Sequence, residues 1–406
     1  MRRVFVTGYG LITAFGKSWQ DNKIALEKKE NAVKIMNEWD KYSDLNTRLA
    51  APILNYAHPK SWTRKQTRSM GRVSEFSVEA SSMAFDMAKL GDEIKDGRMG
   101  VASGSSTGST DAVASMARLL LEGESDCNAN TYIKMMPHTT AANIALFFGL
   151  KGRIIPTSSA CTSASHAIGY SFEAIKYGLI DMMIAGGAEE LCPSEAYVFD
   201  TLYATSTKNS TPNLTPCPFD KDRDGLVLGE GAGFLVLESE ENVKKRGIVP
   251  IAEVVGFGST SDGTHITQPN PNTMKEAMAL ALKSANLNPK DIKYINAHAT
   301  ATTLGDIAES KATNELFGEN IAISSTKSYL GHTLGACGGI EAIFSIEMMR
   351  QNLFYPTINL KNIDEKCAKL NYLRDITNIK TDYVMSNNFA FGGVNTSLIF
   401  KKYFKG

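Results

Sequence analysis

The sequence predicts an α/β protein in which helices cover mostly parallel sheets, arranged as two halves. Three observations carry this. Strand, glycine turn and helix alternate along the chain, as they do in layered α/β folds. Apolar runs bounded by glycine, such as Met182-Met183-Ile184-Ala185-Gly186-Gly187, have the continuous hydrophobicity of a strand buried on both faces. A chain of 406 residues exceeds what one hydrophobic core usually holds, so two domains or two tightly joined halves are expected. Lys244 to Gly247 marks the boundary, giving halves 1–247 and 248–406. No sequence repeat between them is visible by eye.

Taken in order, residues 2–16 read as a buried strand, a glycine turn and the start of a helix, continued as a charged surface helix over 17–35. Trp39 to Trp62 is irregular, and from Arg64 the pattern is helical through Ala88. Arg98 to Gly108 is a short strand running into a Gly/Ser loop, followed by a helix from about Asp111 to Leu121. That loop has neither the phosphate-cradling G-x-x-x-x-G-K-[ST] spacing nor a dinucleotide-binding G-x-G-x-x-G. His138 to Ala145 opens another helix, with Thr139 or Thr140 as its N-cap. In the second half, Ile251 to Gly258 is a strand and Thr273 to Ala285 a helix. Pro216 to Gly225 is a loop too poor in aligned carboxylates to hold calcium.

Composition excludes several function classes. The 43 basic and 43 acidic residues cancel and form no long run, which argues against nucleic-acid binding or an anionic membrane surface. No apolar stretch approaches the length of a membrane span, and Met1-Arg2-Arg3-Val4-Phe5 fails as a signal peptide because glycine intervenes too early. Six scattered cysteines with no Cys-x-x-Cys pair suggest neither disulfides nor zinc, hence a reducing, cytoplasmic setting and no metal.

Chemistry concentrates in four stretches. Pro156 to Ala167 surrounds Cys161 with small residues just before a buried helix, where unpaired N–H groups would lower a thiol's pKa. His298 stands at the end of the apolar run Ile292 to Ala297, the strand edge at which α/β sheets bind ligands. His332 lies at the entrance to an apolar helix, after the run Ile321 to Ser324. Ser386 to Asn395 reads as a glycine-containing loop after the strand Tyr383-Val384-Met385, able to offer backbone N–H groups to a substrate oxygen. One nucleophile and two imidazoles from separate strand ends suit covalent acyl transfer.

With Val4-Phe5-Val6-Thr7-Gly8-Tyr9-Gly10, Ser159-Ala160-Cys161-Thr162-Ser163, Asn296-Ala297-His298, Lys327 to Ala336 and Asn388 to Asn395 in this order, the chain resembles the β-ketoacyl-acyl-carrier-protein synthases, most closely their elongating type II class. The resemblance spans essentially the whole chain. It implies the thiolase fold, two similar halves in five layers, α/β/α/β/α. It implies that Cys161 accepts an acyl chain from a carrier-protein thioester, with the backbone N–H groups of Cys161 and Phe391 as oxyanion hole. His298 and His332 would hold a malonyl thioester while carbon dioxide leaves, and the enolate would attack acyl-Cys161 to give a 3-oxoacyl product two carbons longer.

By the same resemblance Lys327 and Glu341 organise His332, and Phe389 and Phe391 gate the site. Thr300 and Thr302 meet the pantetheine arm, and Lys65 and Arg68 meet an acidic carrier protein. No metal or organic cofactor is implied, because the phosphopantetheine arm arrives on the substrate. A homodimer is expected, or a heterodimer with a related subunit. His166, near Cys161, is expected to be structural. Ala299, Ala301 and Thr303 replace the family's usual glycine, serine and proline, and Ala390 stands where glycine is usual, which predicts a stiffer gating loop. Such changes suit a specialised aryl-polyene or polyketide-like pathway as well as fatty acid elongation. A non-catalytic chain-length subunit would lack Cys161, and a thiolase would need a second cysteine, for which Cys337 and Cys367 lie in the wrong motifs.

Overall fold

The computed structural model describes residues 1–123 and 126–404. Eleven strands form its main sheet: β1 (Val4–Ile12), β2 (Met99–Gly104), β3 (Ile154–Thr157), β4 (Met182–Glu189), β5 (Gly231–Ser239), β6 (Ala252–Ser261), β7 (Tyr294–Asn296), β8 (Ala322–Ser324), β9 (Asn371–Tyr372), β10 (Tyr383–Ala390) and β11 (Val394–Lys402). Their spatial order is β9-β8-β7-β10-β11-β6-β1-β5-β4-β2-β3. The order contains a repeat that the sequence hides. The first five strands lie as 1-5-4-2-3, and β6, β11, β10, β7 and β8 repeat that arrangement, with β9 added at the edge.

The halves join by a short antiparallel pairing of Val4, Phe5 and Val6 with Val254, Glu253 and Ala252. Two helices, Ser163–Lys176 and Cys337–Gln351, each pack against strands of both halves and form the middle layer. Arg72–Ala88 and Thr139–Phe148 cover the outside of one half, and Pro271–Ala285 with Thr303–Phe317 the outside of the other. Five layers result, α/β/α/β/α, as the resemblance implies. The Cys337–Gln351 helix is buried over nearly its whole length, which fits its sandwiched place.

Several local expectations are corrected. The sheet is mixed: pairings around β2 and β7 are parallel, whereas β5, β1, β6 and β11 pair antiparallel. Gly8 and Gly10 make no turn and lie within β1, because the Arg72–Ala88 helix presses on the strand. A Cβ at Gly10 would stand 1.8 Å from the Ala80 carbonyl oxygen. The helix expected from Arg64 breaks into Arg64–Thr67 and Arg72–Ala88, with Gly71 as the N-cap of the second. Thr139 and Thr140 lie inside their helix, where their hydroxyls donate to the carbonyls of Met136 and Pro137. Among the described residues no helix is long and apolar enough to cross a membrane.

Candidate active site

Cys161 sits between β3 and the Ser163–Lys176 helix, with Ala160 before it held at φ 51°. That left-handed conformation is strained for alanine, and the surrounding bonds hold it: Ser163 N–H and Oγ–H both donate to the Ala160 carbonyl, the hydroxyl at 2.7 Å. His298 leaves the end of β7, and Glu309 on the following helix accepts the N–H groups of His298 and Ala299 at 2.8 and 2.7 Å. His332 follows β8, and its backbone N–H donates to the Val227 carbonyl at 2.7 Å.

The three side chains converge. His332 Nε2 is 2.9 Å from Cys161 Sγ, and the His298 and His332 rings meet edge to face at 5.2 Å. One ligand atom from each of Cys161, His298 and His332 falls within 4.8 Å of the others. Such a set could also hold a soft divalent ion such as zinc. Cys161, His298, His332, Phe389, Phe391, Thr300 and Thr302 line one cleft of about 410 Å³. The Thr300 and Thr302 hydroxyls are 3.2 Å apart on its wall.

Beneath the cleft, the Lys327 ammonium forms a buried ion pair with Glu341, whose other oxygen accepts Asn388 Nδ2 at 2.7 Å. That charge acts on its neighbours. Burial and the Lys327 cation both push His298 and His332 well below the usual imidazole range, so both rings are neutral at pH 7. The Cys161 thiol moves opposite to the sequence-based expectation. Burial lifts it to about 12, opposed by Lys327 and by the N–H groups of Cys161 and Phe391 that bond to the sulfur. The site therefore rests as a neutral thiol beside a neutral imidazole.

The segment Ser386 to Asn395 is a β-hairpin and not a loop after β10. The strand continues to Ala390, and Phe391, Gly392 and Gly393 turn into β11, with the two glycines at φ 87° and 68°. Ala390 lies on the strand and has no positive φ, so its methyl carries no strain and the expected stiffening has no backbone cause. The positive φ, 70°, belongs to Ala301, where the Asp306 carboxylate accepts the N–H at 3.2 Å. Thr303 opens the Thr303–Phe317 helix, a first position that suits the family's proline equally well. Phe391 packs on Phe199 at 5.1 Å, and Phe389 is 6.2 Å from the His298 ring.

Lys65 and Arg68 are exposed at the short Arg64–Thr67 helix and do not line the cleft. His166 is tied up by hydroxyls from both halves, Ser159 at 2.8 Å and Ser259 at 3.0 Å. Cys337 faces the Cys161 carbonyl at 3.2 Å, outside the cleft lining.

Sequence reasoning missed three anchors. Glu309 fixes the backbone of His298. Glu189, at the end of β4, accepts from Ser105 Oγ at 2.6 Å and from the N–H groups of Ser106 and Gly335 at 2.7 and 2.9 Å, which pins the turn after His332. Arg223, from the loop 216–225, donates to the Thr303 carbonyl at 3.0 Å and pairs with Asp306 and Asp364. The charge density of Asp220-Lys221-Asp222-Arg223-Asp224 was the available signal for the last of these.

Comparison with known proteins agrees with this geometry. The family pattern for the β-ketoacyl synthase N-terminal domain matches residues 1–242 and that for the C-terminal domain residues 251–361. The 3-oxoacyl-[acyl-carrier-protein] synthase 2 of Synechocystis sp. is 37% identical over 411 residues, covering 99% of this chain and 98% of its own. A β-ketoacyl synthase from Burkholderia phymatum superposes with a TM-score of 0.98 at 55% identity, over the whole of both chains. The ketosynthase ApeO of Xenorhabdus doucetiae, solved in complex with its chain length factor, is 27% identical with a TM-score of 0.87, over 99% of this chain and 98% of its own. With matches over both domains and the full length of its relatives, the chain belongs to the β-ketoacyl synthase family.

Proposed function

We propose that the protein catalyses the decarboxylative condensation of fatty acid elongation, joining an acyl chain on Cys161 to a malonyl unit on acyl carrier protein. The observation that carries this is the 2.9 Å approach of His332 Nε2 to Cys161 Sγ, with His298 beside both. In the first half-reaction the sulfur adds to the acyl thioester carbonyl and its proton passes to His332. The N–H groups of Cys161 and Phe391 stabilise the oxyanion, and the carrier thiol leaves with a proton. In the second, the bond from the malonyl carbon to its carboxylate breaks. Carbon dioxide departs, and the electron pair is held as an enolate by N–H donors on the two neutral imidazoles. The enolate carbon then attacks acyl-Cys161, the sulfur–acyl bond breaks, and the released thiolate takes up one proton from solvent, replacing the one that left with the carrier thiol.

Neutral imidazoles suit this work, since a full positive charge would trap the enolate. Lys327 with Glu341 holds the ground beneath His332, Phe389 and Phe391 gate the cleft, and Thr300 with Thr302 receives the pantetheine arm. The arm belongs to the substrate, so no resident cofactor or metal is needed. The protein works in the cytoplasm as a homodimer on this reading, with halves 1–247 and 248–406. A second reading, a ketosynthase of a specialised polyene or polyketide-like pathway paired with a related subunit, is favoured by one observation. ApeO, solved with a chain length factor, matches over nearly the full length.

Incubation with acyl- and malonyl-carrier protein tests the reaction. Carbon dioxide release, a covalent adduct on Cys161 and a 3-oxoacyl product are expected; absence of all three across a chain-length series would overturn it. Light scattering of the purified chain separates a dimer from a monomer that waits for a different subunit.

A further inference from the structure

The floor of the cleft suits a second chemistry that condensation does not use. Sγ of Cys161 and one ring nitrogen from each of His298 and His332 lie within 4.8 Å of one another, and His332 Nε2 stands 2.9 Å from the sulfur. A tetrahedral zinc ion sets its sulfur and nitrogen ligands about 3.4–3.6 Å apart, so all three atoms reach such an ion with shifts of about 1 Å. The rings are already turned for it. Nδ1 of both histidines is shut from solvent without a hydrogen-bond partner, which leaves Nε2 as the nitrogen that meets the cleft. A thiol with two imidazoles is a soft donor set, which selects zinc-class ions over magnesium or calcium. Entry is open to a cation: among the described residues no lysine or arginine lines the cleft, and its carboxylates are Asp262 and Glu309. The Lys327 charge beneath is balanced by Glu341.

We propose that Cys161, His298 and His332 form an inhibitory site for a soft divalent cation of the zinc class, held by Sγ and the two Nε2 atoms, with the fourth position left to water from the cleft. A sulfur–metal bond replaces the Cys161 S–H bond, the proton passes to solvent, and no electrons are transferred. The sulfur lone pair that would attack a thioester is then held by the metal, and both imidazoles are withdrawn from the enolate, so each bound ion stops one site. This is not the site of a resident metal. Histidines that hold a metal ordinarily donate their other ring N–H to an acceptor, and loss of that partner costs about 10–100-fold in affinity. Among the described residues neither Nδ1 has one. Zinc sites at the weak end bind at tens of nanomolar, so a Kd on the order of 1 µM is expected here, and the ion comes and goes. The loss of turnover, unlike the binding, rests on the condensation reading under Proposed function.

The test titrates zinc chloride alone into the full-length, metal-free enzyme by calorimetry, with cobalt(II) in its place to report the sulfur–metal bond as a near-ultraviolet absorption band. One ion per chain, the cobalt band, and a loss of condensation that EDTA restores are expected. Magnesium and calcium, which prefer oxygen ligands, are expected to inhibit about a hundredfold less. Cys161→Ala is expected to lose the band, and His298→Ala to weaken zinc binding about tenfold or more while its sulfur remains. Zinc binding unchanged in Cys161→Ala would place the ion elsewhere on the surface, and binding unchanged in His298→Ala would reduce the site to a lone thiol; either overturns the proposal. So would inhibition that EDTA does not reverse, or undiminished binding to wild type whose Cys161 has been alkylated with iodoacetamide. The alkylated wild type needs no substitution and decides the matter if a variant fails to fold. A wild type that binds zinc through these residues but condenses nothing in its absence would leave the site standing and overturn the condensation reading instead.

Discussion

The two halves share one strand order and spend it differently. In the first, the loop between β3 and the Ser163–Lys176 helix carries Cys161; in the second, the equivalent loop between β8 and the Cys337–Gln351 helix carries His332. After β2 comes a Gly/Ser turn clamped by Glu189, and after its counterpart β7 comes His298, clamped by Glu309. Both halves therefore fix a strand-end turn with a buried carboxylate on backbone N–H groups. What differs is the set of side chains at these strand ends: serines after β2 and the Cys161 thiol after β3 in the first half, and imidazoles after β7 and β8 in the second. A duplicated scaffold sets positions, and the reaction lies in the residues grafted on them.

The sharpest way to break this comparison is to separate the half-reactions. His298→Ala is expected to lower condensation about a thousandfold, at the upper end of the usual range for loss of an oxyanion donor, while Cys161 still takes up an acyl chain detectable by intact mass. Cys161→Ala is expected to abolish the adduct itself. If His298→Ala blocked acylation as severely as condensation, the division of labour between His298 and His332 would be wrong.

The buried carboxylates offer a second contrast. Glu341 balances the Lys327 cation, so Glu341→Ala leaves a charge buried and alone and is expected to destabilise by about 3–5 kcal/mol in urea unfolding. Glu189 is held by hydroxyl and backbone N–H donors, and Glu189→Gln is expected to cost less, about 1–3 kcal/mol. Similar losses for the two would mean that the Lys327 pair has no special standing.

Legibility followed the same division. Cys161, His298, His332 and the strand runs beside them could be placed from sequence, because a nucleophile among small residues and a histidine ending an apolar run are local patterns. Lys327 and Glu341 were placed by motif, and they do meet. What stayed hidden depends on long-range packing. Gly8 and Gly10 resemble turn residues until a helix some 70 residues away is laid on the strand, about 1.8 Å from where a Cβ would stand at Gly10. The rise in the Cys161 pKa was hidden for the same reason: helix-end polarity can be read from sequence, but burial cannot. Arg223 lies 80 residues from the Thr303 carbonyl it donates to, beyond any local pattern.

His166 bridges the halves, and its titration tests how tightly they are joined there. Burial lowers its pKa to about 4 from the ordinary 6.5, so the folded protein favours the neutral ring. Stability from this preference is complete above pH 6.5 and is lost as the pH falls towards 4, where the unfolded chain binds the proton more readily. The full effect is on the order of 3 kcal/mol. His166→Gln is expected to flatten the stability profile over that window in chemical denaturation, and an unchanged slope would show that the ring is not held neutral by the fold.

The smallest effect concerns strain, which the halves also share. Ala160, immediately before Cys161, has φ 51°, and Ala301, three residues after His298, has φ 70°. The left-handed conformation costs a residue with a Cβ about 1–2 kcal/mol. Glycine removes that cost but frees the unfolded chain, which returns about 0.4–1 kcal/mol in the opposite direction. Ala160→Gly and Ala301→Gly are each expected to gain about 0.5 kcal/mol, measured as a small rise in the urea midpoint. Their effects on activity should diverge. At Ala160 the Ser163 bonds to the carbonyl keep the backbone in place, so acylation is expected to stay within about twofold of wild type. At Ala301 the N–H groups of Thr300 and Ala301 bond to Asp306, but among the described residues nothing bonds the Ala301 side of the turn as Ser163 does at Ala160, and glycine is expected to raise KM for the carrier-borne substrate about two- to threefold. Equal behaviour at the two positions would mean that both turns are held by the surrounding packing alone.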